Sequence, residues 1–305
     1  MKVVVTGGAG VVGRNVCDHL ATKGHDVLAI DRVAIDPGRG KSELIDLSKV
    51  SDLERAFRQA NAVVHMARVP FPYASAGYDA VRRTWRKPDL LADIERFNLN
   101  VAMTYNVFGA ALASGVKKLV VGSSLAIYGL YYPSRPAFPD YIPVDEDHPL
   151  RPDDHYGLTK LLGENMADAF ARKHAMDIIS LRFPVIFDGD EARLLSQQTI
   201  ALRGFGALGT YLHVRDAAEA CRLALESKLP GHEAFNLCAT TTLMPQPTID
   251  LVRELMPEVI DFRRTDRANW AGYDTAKACK VLGFQASHLI KQISLHDRPK
   301  GDRPA

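Results

Sequence analysis

Lys2-Val3-Val4-Val5-Thr6-Gly7-Gly8-Ala9-Gly10-Val11-Val12-Gly13 is the stretch from which the fold is read. A run of β-branched residues predicts a buried strand over Lys2–Thr6, and Val11, Val12, Val16 and Leu20 share one face of a helix predicted over Gly10–Lys23. Between them stand glycines at 7, 10 and 13. The first permits a tight turn, the second lets backbone approach a pyrophosphate, and the third lets the helix pack closely on the sheet. An anion then rests on the free N–H groups of the helix N-terminus. A glycine triplet alone is weak, but strand, turn and amphipathic helix in that order are what dinucleotide binding requires. Gly7, Gly10, Val11, Val12 and Gly13 are therefore candidate cofactor-binding residues.

Working outward, further strands are predicted over Asp26–Ile30, Glu43–Asp46, Ala62–Met66, Lys118–Gly122 and Asp177–Arg182. Helices are predicted over Asp52–Gln59, Leu90–Ser114 and Tyr156–His174. Strands alternating with crossover helices imply an α/β fold, a doubly wound parallel sheet of the Rossmann-like kind. Its ligands bind at the carboxyl ends of the strands, near the point where strand order reverses. After Arg182 the pattern loosens. Residues 183–212 read as loops, Asp216 as the cap of a helix through Glu226, and Phe235–Cys238 as a strand returning to the sheet. Helices over Thr248–Leu255 and Thr275–Leu282 follow, and 296–305 reads as a disordered tail. The expected division is a dinucleotide-binding domain over 1–182, rejoined by 213–238, with a small substrate lobe from 183–212 and 239–295.

Asp31 lies 18 residues past Gly13, at the end of the second strand. A carboxylate there accepts from both ribose hydroxyls of NAD and repels a 2′-phosphate. Arg32, Arg39 and Lys41 stand nearby as a rival NADP signal, but the strand-end position of Asp31 favours NAD. Asp46 and Leu47, ending the third strand, are expected along the adenine edge, a plain loop carboxylate being the equal alternative for Asp46.

Tyr156-Gly157-Leu158-Thr159-Lys160 sets a phenol and an ammonium four apart on one helix face. A neighbouring cation favours the phenolate, and a phenolate beside a nicotinamide takes the proton of a substrate hydroxyl as hydride leaves its carbon. Ser123-Ser124-Leu125-Ala126-Ile127-Tyr128-Gly129 follows a strand, so its hydroxyls emerge at the carboxyl end of the sheet. One of them steadies the substrate oxygen. Each motif alone also has a plain reading, an exposed helix pair and a turn or cap.

With these motifs the chain resembles the extended short-chain dehydrogenases/reductases, the family of NAD-dependent sugar epimerases and dehydratases. Supporting stretches are Val64-His65-Met66-Ala67, Asn100-Val101, Leu181-Arg182 and Tyr211-Leu212-His213-Val214-Arg215-Asp216. The resemblance implies Ser124, Tyr156 and Lys160 as catalytic. It implies Met66, Ala67 and Arg68 along the NAD ribose, Asn100 and Ser123 near the cofactor, Tyr156 and Lys160 touching it, and Phe183 and Pro184 near the carboxamide. Members of the family pair through two long helices. Here Leu90–Ser114 and Tyr156–His174 carry small residues such as Ala102, Ala110, Ala111, Ala167 and Ala171, so a homodimer is expected.

The family's dehydratases carry an Asp-Glu pair directly after the Ser/Thr. Here Leu125 and Ala126 stand there and move no protons, which disfavours dehydration. Oxidation or reduction of a secondary hydroxyl, or 4-epimerisation, remains. Only 31 positions separate Arg182 from His213, and Phe183-Pro184-Val185-Ile186 replaces the family's Tyr-Gly-Pro. Both departures point from nucleotide-sugars toward a smaller sugar, polyol or sugar acid. A nucleotide-sugar 4-epimerase and a dinucleotide-sensing binding protein are the alternatives. Leu130–Ile142 is a candidate lid, and Arg82, Arg83 and Arg86 a basic cluster for a carboxylate or phosphate, or else a solvated helix face. His213 is expected to pack or cap rather than catalyse.

The chain has 305 residues, 47% hydrophobic and 24% charged, with a net charge of +2, so no strong field points to nucleic acid or an anionic membrane. Its four cysteines, Cys17, Cys221, Cys238 and Cys279, have no Cys-x-x-Cys spacing, and the histidines no metal-ligand spacing. No apolar run approaches the roughly 18 residues of a membrane span. The glycine turn follows too soon for a secretory signal. A cytoplasmic enzyme with no metal, membrane or nucleic-acid partner is expected.

Overall fold

The computed structural model describes residues 1–70, 78–79, 84–85, 90–130, 137–189, 208–244 and 246–290. The strands are β1 (Lys2–Thr6), β2 (Asp26–Asp31), β3 (Lys41–Leu44), β4 (Ala62–His65), the short antiparallel pair β5 (Tyr78–Asp79) and β6 (Thr84–Trp85), β7 (Lys118–Ser124), β8 (Asp177–Phe183), β9 (Val185–Phe187), β10 (Tyr211–His213) and β11 (His232–Asn236). The helices are α1 (Val11–Thr22), α2 (Val50–Phe57), α3 (Leu90–Ala113), α4 (His155–His174), α5 (Val214–Glu226), α6 (Thr248–Leu255) and α7 (Ala276–Leu282).

Seven strands form one parallel sheet in the order β11-β8-β7-β4-β1-β2-β3. Strand order reverses between β1 and β4, so the crevice that such sheets use for ligands opens at their carboxyl ends. Alternation along β1 explains the two layers. Val3 and Val5 face a core built with Val16, Cys17 and Leu20 of α1 and Ala217, Cys221 and Ala224 of α5. Val4 faces the other core, with Leu53 and Phe57 of α2, Val107 and Phe108 of α3, and Ala167 of α4. A third cluster packs Leu125, Ile127 and Tyr128 with Ile142, Trp270 and Tyr273.

The structure corrects several boundaries. The third strand runs Lys41–Leu44 rather than Glu43–Asp46. It is an exposed edge strand fixed by pairing with Leu28–Asp31, so it carries no apolar signal. Asp46 and Leu47 consequently lie beyond it. The returning strand is His232–Asn236 rather than Phe235–Cys238, placed by its ladder with Ile178–Arg182. The 183–212 stretch is not all loop, since Val185–Phe187 and Tyr211–His213 pair in parallel. Three-residue strands are too short to show a period. β7 extends to Ser124, so both serines sit inside the strand end rather than after it. α5 is capped by the His213 side chain, which accepts from the Arg215 N–H at 3.1 Å. Asp216 instead ties down Ser287 and His288. The Arg82, Arg83 and Arg86 cluster, residues 131–136 of the lid stretch and the tail lie outside the described residues. Among the described residues no helix is long and apolar enough to cross a membrane.

Candidate active site

The glycine turn is shaped by close approach. A Cβ on Gly13 would lie 2.0 Å from the Gly7 carbonyl oxygen, so only glycine lets α1 start that close to the turn. Gly10 is the N-cap of α1 and no side chain caps that end. The first-turn N–H groups beside Val11 and Val12 therefore face the crevice without a side-chain acceptor. Asp31, at the end of β2, accepts the Ala9 N–H at 3.0 Å and the Val33 N–H at 3.1 Å, which turns its carboxylate toward the same loop. Glycine cradle, uncapped helix end and strand-end carboxylate together fit a dinucleotide. Arg32 is exposed beside them. Leu47 is buried and holds Asn106 through its carbonyl. Asp46 is exposed, its carboxyl held below the usual range chiefly by the Ser48 N–H.

Met66, Ala67 and Arg68 leave the end of β4 toward the crevice. Their backbone is pinned on both sides. The Met66 N–H donates to the Thr6 carbonyl, while Asn100 accepts the Val69 N–H at 2.9 Å and donates to the Val69 carbonyl at 3.0 Å. Asn100 is thus buried behind the segment and bonded to both polar groups of Val69.

The Asp154 side chain caps α4 by accepting the Gly157 N–H at 2.8 Å. A Cβ on Gly157 would lie 2.6 Å from the Ala126 carbonyl oxygen, so the glycine seats the start of α4 against the turn Leu125–Tyr128. This contact brings Tyr156 beside the end of β7. The Lys160 ammonium lies 5.6 Å from the Tyr156 ring centroid and donates to the Gly122 carbonyl at 2.6 Å. Burial, and next the Arg68 charge, push its pKa down to about 7, while Glu164 opposes the fall. Behind it is a cavity of about 20 Å³ lined by His65, Asn100, Thr104, Ser123 and Glu164.

The two serines diverge. The Ser123 hydroxyl donates to Glu164 at 2.6 Å and faces the interior. The Ser124 hydroxyl accepts the Ala126 N–H at 3.2 Å and donates to the Phe183 carbonyl at 3.3 Å, at the crevice end of the strand. Phe183 is buried and Pro184 half-buried, in the link from β8 to β9. Leu125 and Ala126 are buried in the turn.

One set of residues was not anticipated. Glu164 stands one turn beyond Lys160 and two beyond Tyr156, so the helical stride 156, 160, 164 carried the signal. Arg182 meets its carboxylate at 3.0 Å through Nε and 2.7 Å through Nη2, and donates to the Tyr128 hydroxyl at 2.7 Å. Tyr128 contacts Asn236 at 2.8 Å, so this tyrosine anchors the turn rather than flanking the crevice.

Asp154 has a consequence for stability. Burial, ahead of all other causes, raises its carboxyl to about 6, and its Oδ2 is buried with no partner. A folded pKa above the unfolded value near 3.9 means the folded state holds the proton more tightly. The stabilisation is complete below that unfolded value and is lost as pH rises through about 6. Asp154→Asn keeps the cap acceptor and removes the charge. Urea unfolding is expected to show it more stable than the parent above neutral pH by about 1–2 kcal/mol, after loss of the anion at the helix N-terminus, with the gain vanishing in acid. A variant less stable than the parent at both extremes contradicts the sign.

A doubly wound parallel sheet with an anion-ready glycine turn at its reversal point, and a Ser–Tyr–Lys set beside it, defines the class: a dinucleotide-dependent α/β enzyme. The chain belongs to the NAD dependent epimerase/dehydratase family, which it matches over residues 3–238. It is 29% identical over 238 residues to an L-arabinose 1-dehydrogenase (NAD(P)(+)) of Haloferax volcanii, covering 75% of this chain and 84% of that one. It is 28% identical over 332 residues to a UDP-glucose 4-epimerase of Corynebacterium glutamicum, covering 97% and 94%. Among solved structures, a short-chain dehydrogenase/reductase superfamily protein of Agrobacterium tumefaciens with bound NAD superposes with a TM-score of 0.68 at 25% identity, covering 95% and 93%.

Proposed function

We propose that this protein oxidises a secondary hydroxyl of a small sugar or sugar derivative, with Tyr156 as the base. The observation that carries the reading is the Lys160 ammonium, bonded to the Gly122 carbonyl of β7 and 5.6 Å from the Tyr156 ring, with the Ser124 hydroxyl at the end of the same strand. The Gly7–Gly13 turn and Asp31 would hold NAD, which when bound would supply the acceptor for the hydride. Tyr156 takes the proton of the substrate hydroxyl. Lys160 favours the phenolate form of Tyr156. Ser124 exchanges its bond to the Phe183 carbonyl for the substrate oxygen and holds it against the phenol. Leu125 and Ala126 leave the turn without a proton-moving side chain, which sets dehydration aside. The short β8–α5 connection and the likeness to an L-arabinose dehydrogenase support a small substrate.

The near full-length likeness to a UDP-glucose 4-epimerase favours the second reading, epimerisation by the same trio. A panel of free sugars, sugar acids and nucleotide-sugars with NAD+ separates the two. A dehydrogenase accumulates NADH stoichiometrically with one of them, whereas an epimerase interconverts a nucleotide-sugar with no net NADH. No turnover of any panel member, with NAD bound, would leave a dinucleotide-sensing protein. Asp31→Ala is expected to weaken NAD binding about tenfold and to narrow its advantage over NADP, since it removes the carboxylate that accepts from the ribose. Equal NAD affinity by calorimetry would contradict the assignment.

The homodimer is proposed through α3 and α4, where Ile94, Leu99, Tyr105 and Leu158 are exposed apolar residues. A cytoplasmic location is proposed from four free cysteines.

A further inference from the structure

We propose that Arg68 is a second cation of the Tyr156 phenol, held beside the ring by the clamp that Asn100 places on Val69. The inference rests on the reading of Tyr156 as the base. Its geometry is independent of any ligand. The Arg68 guanidinium carbon lies 5.7 Å from the Tyr156 ring centroid, nearly the same distance as the Lys160 ammonium at 5.6 Å. One cation comes from the end of β4 and the other from α4, so two elements deliver positive charge to a single ring. The backbone that carries Arg68 is fixed, because both polar groups of Val69 are bonded to a buried asparagine. Among the described residues no carboxylate lies within ion-pair distance of Arg68.

The charges around the phenol make the second cation matter. Lys160 is driven toward neutrality by burial and by Arg68, against Glu164, so near neutral pH its charge is divided. A guanidinium does not deprotonate in proteins. Among the described residues, the permanent positive charge at the ring is therefore Arg68. Asp153, Asp154 and His155 precede the phenol on its own element, and the Asp154 carboxylate works against ionisation once it is charged. From β4, His65 stands behind Lys160, its pKa pushed down to about 3 by burial and next by Lys160, so it adds no charge. From the β7 end come only the hydroxyls of Ser123 and Ser124, and behind them the Glu164–Arg182 pair, which is internally neutral. A cation within about 6 Å of an acid typically raises its acid constant by tenfold or more.

The test reads the phenol itself. Phenolate absorbance is titrated for the whole protein, with and without NAD+, and the titration of Tyr156→Phe is subtracted to isolate one of ten tyrosines. The parent is expected to show this phenol ionising below the bulk of the tyrosines. Arg68→Gln should lower its acid constant about tenfold, Arg68→Lys should restore most of it, and the acid limb of kcat/KM should move by the same amount. An unmoved phenol in Arg68→Gln overturns the proposal, and does so even if KM for sugar acids alone rises, which would make Arg68 a substrate anchor. A parent phenol that ionises with the other tyrosines overturns the base assignment, and this inference with it. The two failures are thus told apart by the parent curve.

Discussion

Tyr156→Phe is expected to lower kcat by about three orders of magnitude while leaving the fold and the NAD affinity in place. Phenylalanine keeps the ring that Lys160 and Arg68 flank, at 5.6 and 5.7 Å, and removes only the hydroxyl. Positioned proton transfer contributes roughly 10²–10⁴-fold to such reactions, and no other described group at the crevice replaces it. Ser124 is committed to the Ala126 N–H and the Phe183 carbonyl, and Lys160 to the Gly122 carbonyl. Steady-state kinetics with the substrate found in the sugar panel, alongside calorimetric NAD binding, checks this. Retention of more than about a tenth of kcat would contradict the role, since it leaves less than the lower bound for a general base.

Glu164→Gln is expected to cost the fold about 3–5 kcal/mol, because it strands a buried guanidinium. The Arg182 and Glu164 side chains are only 5% and 6% exposed. The carboxylate accepts from Ser123 and from two nitrogens of Arg182, whose third contact is the Tyr128 hydroxyl. Burial alone opposes the guanidinium charge, and the Glu164 carboxylate more than offsets it, so Arg182 is held above its ordinary pKa. Removing both charges in Glu164→Leu/Arg182→Met removes the stranded charge as well, so the double variant should lose much less than the sum of the single losses. Urea unfolding of the parent, Glu164→Leu, Arg182→Met and the double variant measures the cycle. Additive losses, or a Glu164→Gln cost under about 1 kcal/mol, would show that the pair is solvated rather than buried. Activity should fall in Glu164→Gln as well, since Ser123 and Lys160 both lose their carboxylate neighbour.

The parts of this molecule that were legible beforehand are those in which local pattern and tertiary role coincide. The valines of β1 and the glycines of the turn are demanded by the same close approach, so their spacing declared the sheet, the turn and α1 together. Tyr156 and Lys160 are related by a helical stride, and that stride survives into the site. The parts that were not legible are set by distant partners. β3 has four exposed residues and exists because β2 offers it a ladder, which displaced Asp46 and Leu47 from the strand end where they were expected. β9 and β10 are three residues each and hold one another. Ser123 and Ser124 are neighbours with one chemistry; because β7 runs on to Ser124 their side chains alternate to opposite faces, and Glu164 on α4 receives Ser123. Asn100 is expected near the cofactor by resemblance, and its side chain bonds Val69 and the Arg96 carbonyl. Its effect on the crevice is to hold the segment that carries Arg68.

The most direct test of the central claim is a crystal structure of the protein with NAD+. The account predicts the pyrophosphate on the Gly7–Gly13 turn, and the reactive C4 of the nicotinamide ring in the crevice between β4 and β7, with the Tyr156 and Ser124 hydroxyls facing it across the space for one sugar carbon. A nicotinamide ring lying away from β7, or a Tyr156 hydroxyl turned from it into the protein, would contradict the account.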